Sequence, residues 1–134
     1  MKPRPHPPRP DLQRRPHGSF GWLEAKLLHE GWLANLGADG SAVLCLLAIA
    51  ADVHGASWFG RDRMAQALSM TRNQVDQALD RLLQIGLVAH RPWSSGHPDG
   101  VWQLLPVPPR HTTMRKNHEA TSLRDALANL GLKR

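Results

Sequence analysis

Residues 69–93 read SMTRNQVDQALDRLLQIGLVAHRPW. Val75, Ala78, Leu79, Leu82 and Ile85 recur at three- and four-residue spacing, which predicts a helix with one apolar face. Its other face carries Arg72, Asn73, Gln74, Gln77 and Arg81. The first four residues of TRNQVDQ make a capping box. The Thr71 hydroxyl can accept the Gln74 backbone N–H, and the Gln74 side chain can reach back to Thr71. Gly86 supplies a left-handed exit, so the helix should span 72–85.

Working outward, Met64, Ala65 and Leu68 predict a short helix over 61–68, separated from the next by a tight turn at Ser69 and Met70. Gly60 is placed to cap it, although glycine offers no side-chain acceptor. Downstream, 87–91 and 101–107 alternate as two strands around PWSSGHPDG, a loop rich in turn residues that reads as a flexible hairpin. Upstream, ADGSAVLCLLAIAADVH predicts a helix over 38–54, apolar nearly all round and therefore central to a core, with Gly55 to end it. Its Cys45, the only cysteine, should be a buried small hydrophobe, consistent with a reducing cytosol. Residues 20–24 read as a short strand, followed by a helical turn and a loop around Gly31. Trp22, Trp32, Trp58 and Trp102 are expected in the core or at its rim, and Trp93 is expected to pack on its own domain.

The chain carries a net charge of +6, unevenly spread. Residues 1–17 hold five Lys/Arg and one Asp, and 110–134 hold six Lys/Arg and two acids, so each end is +4. The middle is −2, and five of its six cations (Arg61, Arg63, Arg72, Arg81, Arg91) fall close to the 72–85 helix. Two basic ends and one basic patch favour an anionic polymer as partner. The segments then divide as a Pro/Arg-rich basic tail without regular structure (1–17), a folded domain (18–107), a basic linker (108–120) and a short amphipathic helix (121–134). The longest apolar run, residues 42–51, is about half a bilayer span, so no membrane is expected. Nor is there a secretory signal, so the chain should be cytoplasmic and nucleoid-associated.

The order strand, helix, helix, short turn, helix, hairpin is that of a winged helix-turn-helix, a mainly α fold with a small β wing. Residues 20–105 resemble the winged helix-turn-helix domains of bacterial plasmid and phage replication proteins and of regulators on mobile elements. The resemblance rests on FGWLEAKLL, on the apolar helix ending AADVHG, on the connector SWFG, and on MAQALSMTRNQVDQALDRLLQIGLV. It implies sequence-specific binding of double-stranded DNA in transcription or replication control, with helix 72–85 in the major groove and wing 90–100 on the backbone or minor groove.

On that reading Arg72, Asn73 and Gln77 are the base-reading candidates, because their paired donors and acceptors match guanine and adenine edges. Thr71 and Gln74 sit beside them at the helix start, and Arg81 further along. Arg61 and Arg63 open the preceding helix and can meet phosphates, and Arg91, Ser94 and Ser95 can line the wing. Asp76 and Asp80 should point away from the phosphates, or one of them should accept from a cytosine amine. Eight scattered His and one Cys give no metal-ligand spacing. Neither a catalytic constellation nor a cofactor motif is present, so an enzyme is not expected. A different reading is a winged-helix adaptor in a larger nucleoprotein complex, touching nucleic acid nonspecifically. Near the C-terminus, Leu123, Ala126, Leu127 and Leu130 form an apolar stripe too short to be stable alone. It should be buried in a homodimer, on its own domain or against another protein.

Overall fold

The computed structural model describes residues 6–109. The expectations for residues 1–5, for the linker beyond Pro109 and for the stripe at 123–130 lie outside these residues. The fold is mixed α+β, with four α-helices and one small antiparallel sheet. In chain order the elements are α1 (Lys26–His29), α2 (Trp32–Ala50), β1 (Ala56–Ser57), α3 (Arg61–Leu68), α4 (Arg72–Ile85), β2 (Val88–Pro92) and β3 (Gly100–Leu104). The sheet order is β1-β3-β2.

The α3–turn–α4 unit follows its local sequence signals. Ser69 adopts a left-handed conformation at φ 53°, and α4 starts at Thr71 with both halves of the capping box made. Gln74 N–H donates to Thr71 Oγ1 at 3.1 Å, and Thr71 N–H donates to Gln74 Oε1 at 2.8 Å. Left-handed Gly86 ends the helix. Val75, Ala78, Leu79, Leu82 and Ile85 are all buried, packed with Trp32, Val43, Leu44 and Leu47 from α2 and Met64 from α3. These side chains, together with Leu27, Leu36, Leu87 just before the sheet, and Val88 and Trp102 within it, make the core.

Four expectations are overturned. The predicted strand at 20–24 does not form. The sheet's third strand is β1, which pairs Ala56 with Gln103 and Ser57 with Trp102. An acceptor in the sequence explains its position: Asp52 Oδ1 takes the backbone N–H groups of His54 at 2.8 Å and Ala56 at 3.0 Å, folding the chain back onto β3. These two donors also hold the Asp52 carboxyl below its ordinary pKa.

The helix expected over 38–54 begins where expected but ends earlier, and a further helical segment precedes it in α2. Gly37 interrupts it at φ 73° and ψ −176°, a backbone region open essentially to glycine alone. The helix stops at Ala50 because Ala51 is extended, and Gly55 instead completes the Asp52 turn. By length and composition α2 could cross a membrane, but its inner face packs against α4.

That helix is also not surrounded by core. Val43, Leu44, Leu47 and Ala48 are buried, whereas Cys45 and Ile49 face outward, and Cys45 is an exposed free thiol. Among the described residues α4 and the sheet cover only one side of α2.

The tryptophans divide in the same way. Trp32 and Trp102 are core residues, while Trp22, Trp58 and Trp93 are more than half exposed. Along residues 6–17 all side chains are exposed, and Pro10–Leu12 forms one 3-10 turn beside an Arg9–Asp11 pair at 2.9 Å.

Candidate functional site

The β2–β3 hairpin, the N-terminus of α3 and the N-terminal half of α4 meet at one edge of the molecule. The hairpin is a tied turn, not a loose loop. Trp93 N–H donates to the Asp99 carbonyl at 3.0 Å, His97 N–H to the Ser94 carbonyl at 2.9 Å, and Asp99 N–H to His97 Nδ1 at 2.9 Å. Ser94, Ser95 and Arg91 are exposed upon it.

The junction between hairpin and helices is a chain of charges that sequence reasoning missed. Gly60 provides no side-chain cap for α3, and Asp99 supplies one across the fold, its Oδ1 accepting Arg61 N–H at 3.0 Å. The same oxygen lies 3.8 Å from Arg61 Nε. Arg61 Nη1 donates to Asp76 Oδ1 at 2.8 Å, and Asp76 Oδ1 also takes Arg72 Nε at 3.2 Å. Arg72 Nη1 closes the chain on Asp62, and these carboxylates raise the Arg72 pKa above its ordinary value, with the Asp62 hydrogen bond the largest cause. Three aspartates and two arginines thus lock hairpin, α3 and α4 together. The signal that could have found Asp99 is the bare glycine at a helix start, which leaves an N–H needing an acceptor from elsewhere.

This network changes what the candidate residues can do. The Arg61 side chain is only 19% exposed and is committed to two aspartates, so its geometry is that of a structural residue. Arg72 is half-exposed and paired, and would have to leave Asp62 to reach a base. Thr71 and Gln74 spend their side chains on the capping box. Arg63 stacks over the Phe59 ring at 4.4 Å, and Arg81 donates to Asn35 Oδ1 at 2.7 Å on the side of α4 facing α2. Asn73 and Gln77, one helical turn apart, stand exposed without a side-chain hydrogen bond to any described residue. Asp80 is exposed nearby, while Asp76 is turned into the ion-pair chain.

No family model matches this chain, and no curated protein or solved structure matches it either.

Beneath the hairpin, His90 stacks on its cross-strand partner Trp102 with ring centroids 3.8 Å apart and planes 13° from parallel. Burial pushes the His90 pKa below its ordinary value, helped by the Arg61 charge and opposed by Asp99. Among the described residues His90 Nε2, Trp102 Nε1, Ser57 Oγ and Arg61 Nε are buried without a hydrogen-bond partner. Among the described residues no three His, Cys, Asp or Glu side chains gather as metal ligands.

Proposed function

We propose that this chain is a winged helix-turn-helix protein that binds double-stranded DNA sequence-specifically and regulates transcription or replication on a mobile element. The observation that carries this reading is the exposed Asn73–Gln77 pair on α4, presented directly after a tight helix–helix turn and beside a hydrogen-bonded hairpin. In the proposed complex α4 enters the major groove, where Asn and Gln can each pair two-fold with adenine N6 and N7. Arg91, Ser94 and Ser95 on the hairpin, with Arg63 on α3, meet the backbone. Arg72 joins the readout only by exchanging Asp62 for guanine, a trade that favours sites offering both its acceptors. The element order, with a two-residue strand between the second and third helices and a hairpin after the fourth, supports the same reading.

The test is binding selection from a random duplex pool, followed by mobility shifts on the selected and a scrambled duplex at rising salt. The selected duplex should be bound at least about a thousandfold more tightly than the scrambled one, and should stay bound at salt where the scrambled duplex is released. Equal affinity for both at every salt concentration would reject sequence readout and leave nonspecific nucleic-acid contact.

A further inference from the structure

Away from the hairpin tip the molecule carries an open groove of about 690 Å³. Its floor is the C-terminal half of α2, at Leu44 and Ala48, and its far side is the end of β3 with Val107. Residues 18–24 form the near wall. Gly21 lies so close to α2 that a Cβ there would collide with the Ala48 carbonyl. On its rim Phe20 is 63% exposed, Trp22 72% and Val53 94%. An apolar rim of this kind on a small protein marks a surface that something covers.

We propose that the groove is the docking site of the chain's own C-terminal segment, residues 121–131, bound as a helix within the same molecule. Three observations select this occupant. The described chain ends at the groove: Glu24 Oε2 accepts Val107 N–H at 3.4 Å, and Trp32 Nε1 donates to the Pro108 carbonyl at 3.2 Å. The thirteen residues from 110 to 122 can span up to about 45 Å, so Leu123 reaches any part of the groove, and the short tether gives an effective concentration of about millimolar. The flanking charges also match. Glu24 and Asp52 lie on the lining, and although 121–131 itself is neutral, with Arg124 and Asp125, the residues on either side of it from 110 to 134 hold five Lys/Arg against one Glu. Leu123, Ala126, Leu127 and Leu130 then turn their stripe onto the Trp22–Val53 rim, and covering the stripe is what lets so short a helix persist. The inference does not depend on DNA binding.

The single cysteine makes the test direct, because Cys45 is exposed on α2 one turn before Ile49. A nitroxide on Cys45 of the full-length protein should strip intensity from the amide resonances of residues 123–130. That loss should be absent when the nitroxide and the isotope label are on separate chains mixed together. Leu127→Asp should restore the lost intensity. So should Val53→Asp, whose exposed position leaves the core untouched. Undiminished resonances in the labelled wild type would overturn the proposal. Loss in the mixed sample would replace it with exchange between two copies. Persistence of the effect in both variants would place the segment outside the groove.

Discussion

Asp99 is the residue on which the hairpin's position turns, since its Oδ1 both caps α3 and faces Arg61 Nε. Asp99→Ala is expected to lower stability by about 1–2 kcal/mol in denaturant unfolding, in line with loss of a helix cap. Asp99→Asn keeps an acceptor and should lose less. Gln77 has no such structural duty. Gln77→Ala should therefore leave stability unchanged and relax specificity at one base pair by about 1–3 kcal/mol in competition binding. A uniform loss on all sequences would instead make it a phosphate contact. His90 gives a pH signature. Its folded-state pKa lies below the ordinary 6.5, so the unfolded chain takes up the proton more readily. The stability this provides is present above that value and is lost as pH falls through it toward the folded pKa. Melting temperature should drop as pH is lowered through about 6.5, and His90→Gln should shrink the drop.

At the scale of elements, α2 depends on a single backbone conformation. Gly37 sits at φ 73° with open space where a Cβ would be, so any cost of a side chain there is backbone strain alone. Gly37→Ala should destabilise by about 1–3 kcal/mol, measured by thermal unfolding, without altering α4. The break lets the first turns of α2 bury Trp32 and Leu36 while the later turns bury Val43, Leu44 and Leu47 on the same core. Helix α4 needs no such device. Its cap, its apolar stripe and its left-handed exit all agree, and it formed where its residues predicted.

Across the whole molecule the charge is less concentrated at the candidate site than the order of residues suggests. Arg61 and Arg72 are offset by Asp62, Asp76 and Asp99, which leaves Arg63, Arg81 and Arg91 as the exposed cations there. On the proposed DNA-binding reading, nonspecific attraction would come largely from the basic ends. Residues 1–17 hold five cations, of which Arg9 is paired with Asp11. Deleting them should reduce the slope of log affinity against log salt by about 2–4, with the melting temperature little changed, because residues 6–17 bury nothing. An unchanged slope in a salt titration would remove this segment from the interface.

Local chemistry wrote much of the fold directly into the sequence. The capping box at Thr71, the turn at Ser69, the exit at Gly86 and the stripe on α4 each involve residues within a few positions of one another. Neighbours in sequence are neighbours in space there, so spacing was enough. The hairpin could be placed for the same reason, from its turn residues. What spacing could not supply was which side of an apolar element would find a partner. Helix α2 and the Phe20–Trp22 stretch look like core by composition, yet Cys45, Ile49 and Trp22 are exposed because the packed elements cover only one side of them. The third strand went unread because its stability comes from Asp52 and from β3 almost fifty residues later, not from its own two residues. The candidate site divides along the same line. Sequence identified the polar face of α4, but only the tertiary structure paired Arg61 and Arg72 with aspartates and left Asn73 and Gln77 exposed, because ion pairs form between side chains that the fold, not the chain order, brings within reach.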